Sequence, residues 1–325
     1  MENLGDKITA ARETRSQHGI GLLFGFSAYG VWGLFPLYFM LLDAVSPYQI
    51  VANRIVWSLC FVLILILIRN NWSPLIGVLR SKRAVALLAV AAATISINWG
   101  VYAYAVTTNQ VLEASLGYFI NPLVSVLIGV ALLRERLRHL QWIAVAIGAV
   151  SVAILTVSYG RPPWISLILA FSFAIYGLMK KLANSGALES LAVETLLLLP
   201  IALLVMALFA KDGQGVITHL GLDIATLLIL LGPITAVPLL AFGAAATRIP
   251  LSTLGIIQYI TPSVQFILGI TVFAAAVSPI RWLGVSIIWL ALIVFAIDTV
   301  RHSRAVSRNA ERPSVIDTLE VTVPD

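Results

Sequence analysis

Apolar runs of about 20 residues, the length a helix needs to cross a hydrocarbon core about 30 Å thick, recur along nearly the whole chain. They fall near 19–41, 47–68, 83–107, 112–133, 140–158, 164–181, 191–210, 224–247, 251–275 and 281–300, which predicts ten membrane-spanning helices. The links at 108–111 and 248–250 are short enough to make the third and fourth spans, and the eighth and ninth, tight hairpins. Residues 1–18 read as a polar N-terminal segment ahead of a retained first span. Residues 302–325 have no apolar periodicity and are expected to form a disordered tail.

Sliding the chain against itself by 140 positions sets Ala105 over Ala245, Pro122 over Pro262, Gly129 over Gly269 and Trp142 over Trp282 in one ungapped register. Apolar coincidences are common in such a chain, but Pro, Gly and Trp matches in a single register are not. Residues 19–158 are therefore expected to repeat as 164–301. An odd number of spans per unit makes the second copy enter the membrane from the opposite side. That is an inverted-topology repeat, the architecture of alternating-access secondary transporters.

Composition and charge sharpen this picture. Of 325 residues, 60% are hydrophobic and 11% charged, against about 25% charged in a soluble domain, so the chain reads as an all-α integral membrane protein. With the N-terminus inside, 17 of the 21 Lys and Arg residues fall on the inner side. Only Arg161, Lys211 and Arg281 fall outside, and Arg54 lies within the second span. Basic flanks stay cytoplasmic, so both termini are expected there. The net charge of +6 is spread along that face, where it meets anionic headgroups and not nucleic acid.

The single cysteine, Cys60, lies in an apolar run and the four histidines lie near segment ends, which leaves no disulfide framework and no metal or other cofactor in view. No nucleophile and base converge within the spans, so the chain does not read as an enzyme. It carries no Walker motif, so ATP does not drive it.

The stretch EASLGYFINPLV at 113–124 puts Glu113, Gly117, Asn121, Ser125 and Gly129 on one face of the fourth span, at a spacing of four. Polar groups in hydrocarbon turn inward, so this stripe reads either as a cavity wall or as a seam for close helix packing. Thr253, Ile257, Thr261, Gln265 and Gly269 repeat it on the ninth span. Pro122 and Pro262 each remove a backbone donor near mid-span, leaving the carbonyls of Tyr118 and Gln258 without their usual partners. Both helices read as kinked there.

Arg54 is either a counter-ion for an anionic group or a structural charge. Glu113 is either a functional carboxylate or a first-turn charge complementing the helix dipole. Glu135 reads as an ion-pair partner in an inner loop, and Asp298 as a side chain snorkelling to the interface. The candidate solute-binding residues are Trp32, Arg54, Asn98, Trp99, Tyr102, Glu113, Gly117, Tyr118, Asn121, Gln258 and Tyr259. An aromatic wall with few charges suits a flat amphiphilic, zwitterionic or weakly cationic solute and does not suit a polyanion.

LEASLGYFINPL at 112–123, RERLRHLQW at 134–142, LAFSFAIYGLMKK at 169–181 and LSTLGIIQYITP at 251–262 resemble the RarD-type branch of the EamA-repeat permeases, in the drug/metabolite transporter superfamily. The resemblance covers roughly residues 19–301. It implies ten helices, cytoplasmic termini, two EamA units and a bacterial inner-membrane permease for a small organic solute. Such permeases usually carry a Glu near the end of the ninth helix, as Glu135 stands near the end of the fourth, but here position 275 is Ala. The expected function is secondary active transport, with export as the expected direction, of an amphiphilic drug, amino acid or aromatic metabolite. The other reading is a membrane receptor or assembly partner that transports nothing. Proton coupling, exchange and facilitated flow stay open, as does the oligomeric state.

Overall fold

Helices start and stop where local chemistry dictates. Pro47 opens the second span, where its missing N–H costs nothing. Asn70 and Asn184 close the second and sixth spans in the left-handed conformation that asparagine tolerates, with φ of 48° and 44°. Gly160 closes the fifth span at φ 78°.

The computed structural model describes residues 4–108, 110–160, 162–215, 221–272 and 277–311, which are helical with short links. Among the described residues, ten helices are long and apolar enough to cross a membrane: Ser16–Leu42, Pro47–Arg69, Lys82–Ala105, Glu113–Ala131, His139–Ser158, Trp164–Ala183, Ala187–Lys211, Leu222–Ala246, Leu251–Thr271 and Pro279–Thr299. They are called the first to tenth spans below. Because they alternate in direction, the start of the first and the end of the tenth share one face of the bundle, here called the terminal end.

Several features depart from the expected boundaries. A short helix, Ser73–Arg80, fills the link between the second and third spans. The first helix begins at Leu4, inside the expected polar segment. The last helix runs on to Glu311, ten residues past position 301, and residues 312–325 of the expected tail lie outside the described residues.

The spans that carry Pro122 and Pro262 also differ from each other. The fourth is helical without interruption through Pro122. The ninth is two helices, Leu251–Ile257 and Ile260–Thr271. At this break the Gln258 carbonyl, deprived of a donor by Pro262, accepts the Thr261 N–H at 3.1 Å in a tighter turn.

The fourth span packs on the sixth, fifth and ninth, the third on the sixth and seventh, the second on the seventh and eighth, the first on the eighth and ninth, and the fifth on the tenth. Small residues set these approaches, since lipid supplies no hydrophobic drive between helices. A Cβ on Gly232 would lie 2.5 Å from the Trp57 carbonyl, and one on Gly255 would lie 2.9 Å from the Pro122 carbonyl. Hydroxyls join the same seams, Ser58 donating to the Gly232 carbonyl at 3.1 Å and Ser151 to that of Gly284 at 2.8 Å.

Candidate functional site

The terminal half of the bundle is closed by ionic and capping contacts. The Glu135 carboxylate accepts the Leu251 and Ser252 N–H groups and the Ser252 hydroxyl at 2.7–2.8 Å, satisfying the orphan donors that open the ninth span. Lys181 lies 3.8 Å from Glu135 and donates to the Ile249 carbonyl at 2.7 Å. Glu135 is thus a helix cap as well as an ion-pair partner.

Asp298 pairs with Arg138 of the link before the fifth span, so it does not snorkel outward as the sequence implied. Lys180 and Glu194 form a buried pair at 2.7 Å, with Ser190 and Tyr176 completing their hydrogen bonds. Gly21 and Gly25 of the first span press on Arg248, Ile249 and Leu254.

Away from the terminal end the helices part around a cavity of about 280 Å³. The first span contributes Tyr29, Trp32 and Phe35, the second Arg54, and the third Asn98, Trp99 and Tyr102. The fourth brings Gly117, Tyr118 and Asn121, the sixth Phe173, and the ninth Gln258, Thr261 and Gln265. The crossing of the fourth and ninth spans, where Gly255 meets Pro122 and Ser125, closes it toward the terminal half.

The site is built on rigid helices. Thr261 donates to the Tyr29 carbonyl at 2.8 Å, and Asn98 to the Leu169 carbonyl and the Ser172 hydroxyl at 2.8 and 3.0 Å. Trp32 is wedged between Tyr29 and Phe173, with ring centroids 5.4 and 5.7 Å away.

Among the described residues, Arg54 carries the only formal charge in the lining. Its guanidinium carbon sits 4.3 Å above the Trp99 ring and 5.7 Å from that of Phe35, and its Nε donates to the Thr235 hydroxyl at 3.2 Å. No carboxylate of the described residues lines the cavity. A cation so deep in a helix is tolerated when it faces a polar void, and the indole face offsets part of its desolvation. Nearby, Asn121 is 4% exposed and its Oδ1 accepts no hydrogen bond from any described residue.

Trp32, Arg54, Asn98, Trp99, Tyr102, Gly117, Tyr118, Asn121 and Gln258, predicted as binding residues, thus surround one space. Gly117 does so at its edge, because its missing side chain would point at Ser166 and Leu169 of the sixth span, 3.1–3.2 Å away. Glu113 and Tyr259 lie outside it. The Glu113 carboxylate accepts the Ile165 N–H at 2.7 Å, capping the neighbouring sixth span, and its own carbonyl accepts the Ser166 hydroxyl. The Tyr259 hydroxyl points at Gly148 of the fifth span, 2.9 Å from where a Cβ would stand.

The stripe on the fourth span is therefore a packing seam at Glu113, Gly117 and Gly129 and a cavity wall at Asn121. Phe173 and Thr235 were missed. Phe173 lies within the LAFSFAIYGLMKK motif, but in an apolar helix a phenylalanine carries no mark of facing inward. Thr235 lies 181 positions from its partner Arg54.

Residues 19–157 match the EamA-like transporter family. The chain is 48% identical to Protein RarD of Streptomyces exfoliatus, an alignment covering 94% of this chain and 98% of that protein. It is 38% identical to Protein RarD of Escherichia coli strain K12, over 92% of this chain and 99% of the other. A third relative, the chloramphenicol-sensitive protein RarD of Pseudomonas aeruginosa, is 30% identical over 89% and 98% of the two chains. A solved crystal structure superposes with TM-score 0.67 at 20% identity, covering 84% of this chain and 96% of that one, a likeness of fold alone. With ten apolar spans in hand, these relationships make the chain a multi-pass membrane protein of transporter type, and it belongs to the RarD branch of the EamA-like transporter family.

Proposed function

We propose that the chain is a secondary active transporter that carries a small organic solute across the bacterial inner membrane by alternating access, with the Arg54 cavity as its solute site. The observation that carries this reading is the asymmetry of the bundle. A polar and aromatic void lies in one half, while the other is sealed by the fourth–ninth crossing, the Glu135 cap and the Lys181 contacts.

Exchange of each span with its partner five places on turns the fourth–sixth contact into ninth–first and the third–sixth into eighth–first. The second–seventh, fourth–ninth and fifth–tenth contacts map onto themselves. Such closure supports an inverted repeat, in which the second half can adopt the arrangement of the first and open the opposite end. The basic residues gather at the terminal end, which supports cytoplasmic termini and a cavity open to the outside in this conformation. The match to the EamA-like transporter family, and relatives in Vibrio cholerae and Pseudomonas aeruginosa named as uncharacterized transporters, support a non-enzymatic role. Export is the proposed direction and protons the proposed coupling ion.

Purified protein in liposomes tests this. Preloaded candidate solutes should exchange across the membrane at rates far above empty vesicles, and a pH gradient should drive net accumulation. Binding without any flux would instead favour a receptor.

A further inference from the structure

We propose that the solute is a monocarboxylate with a flat apolar body and a hydrogen-bond donor close to the carboxylate. The inference deepens the transporter reading and rests on it only for taking the Arg54 cavity as the solute site.

Three features of the cavity converge on this chemistry. Arg54 is 8% exposed and, among the described residues, engages protein acceptors only through Nε to Thr235 and has no carboxylate beside it in the lining. Its terminal nitrogens present a donor fork that matches a carboxylate, and the low dielectric around it strengthens that match. Asn121 lines the same cavity and its buried Oδ1 accepts no hydrogen bond from any described residue, so rotation of the amide toward a donor on the solute would remove a standing desolvation cost. Trp99 and Trp32 add flat apolar surface to the same lining, Trp99 directly beneath the guanidinium.

A cationic solute is disfavoured, since it would meet Arg54 with no counter-charge in the lining. A polyanion is disfavoured as well, because one cation stands there. The geometry thus departs from the weakly cationic solute that the aromatic content alone admits. The donor is an ammonium in an amino acid or a hydroxyl in a hydroxy acid; both satisfy Asn121.

Equilibrium binding to the full-length protein in detergent separates these chemistries with five probes: 3-phenyllactate, phenylalanine, 3-phenylpropionate, methyl 3-phenyllactate and phenethylamine. The donor-bearing acids should bind about 10- to 100-fold more tightly than the ester and the amine, the range for a charge-assisted bond. 3-Phenylpropionate, which lacks the donor, should bind about 3- to 10-fold more weakly than 3-phenyllactate. The ratio of phenylalanine to 3-phenyllactate tells ammonium from hydroxyl.

Arg54→Gln should erase the preference of acid over ester, and Arg54→Lys should keep part of it. Asn121→Leu should erase the difference between 3-phenyllactate and 3-phenylpropionate, with an unchanged melting temperature as the folding control. An ester or amine that binds as tightly as the acids, an acid preference that survives Arg54→Gln, or no binding by any acid overturns the proposal. Flux of a neutral or cationic compound without acid binding would overturn it while leaving transport intact. Acid binding without flux would do the converse.

Discussion

Arg54, Gly117 and Tyr259 all stand in apolar spans, and only their neighbours separate a solute-facing group from a packing group. Gly117 abuts the Ser166 carbonyl and the Leu169 Cβ, so Gly117→Val should strain the fourth–sixth seam and destabilise by about 1–3 kcal/mol, the usual cost of overpacking. The melting temperature of the purified variant should fall accordingly; an unchanged value would mean that the seam is looser than the distances imply. Tyr259 gives the opposite case. Its buried hydroxyl has no described partner, so Tyr259→Phe removes an unsatisfied group and should leave stability equal or raised by up to about 1 kcal/mol, with solute binding unaffected. A large loss of binding would put the tyrosine back in the site. At this scale the sequence was partly legible. Polar and small residues at four-residue spacing correctly mark an inward face, but spacing does not tell whether a cavity or another helix lies opposite, and Glu113 and Gly117 meet the sixth span.

The helices themselves were largely legible, because each is a run of apolar residues of membrane length bounded by charges, prolines or asparagines. Ser73–Arg80 escaped because eight residues are too few to show a periodic pattern above its surroundings. The break at Gln258 and Tyr259 escaped in part: Pro262 announces a lost hydrogen bond, yet Pro122 announces the same and its helix continues. Pairings between helices were not legible at all, since Lys180 meets Glu194 across a turn and Glu135 meets Ser252 at a separation of 117 residues.

These contacts set expectations at the scale of elements. Glu135→Gln retains one acceptor where the carboxylate serves two backbone donors and a hydroxyl. It should loosen the start of the ninth span by about 1–2 kcal/mol, read as faster hydrogen exchange at residues 251–254. Unchanged protection there would show that the cap holds little. Glu194→Ala leaves Lys180 buried without its ion partner and should cost about 3–5 kcal/mol. Arg69→Ala breaks an exposed contact of 4.0 Å with Glu189 and should cost under about 1 kcal/mol. Equal shifts in melting temperature for the two would contradict the burial of the first pair.

For the whole molecule the account joins a cavity in one half to a seal in the other and proposes that the two exchange. The proposed orientation rests on the 17 basic residues that the sequence sets on the inner side. Cysteines placed in the 134–138 link should therefore resist impermeant reagents in intact cells, and labelling from outside would invert the scheme. The most direct test of alternating access fixes the seal itself. Gly21 and Arg248 approach so closely that a Cβ on the first would lie 2.8 Å from that of the second, near enough for a disulfide after a small shift. In a Cys60→Ser background, the Gly21→Cys, Arg248→Cys pair should form a bridge on oxidation. Solute exchange in liposomes should then cease while binding at the Arg54 cavity persists, and reduction should restore exchange. Undiminished exchange with the bridge intact would contradict alternating access through the terminal end.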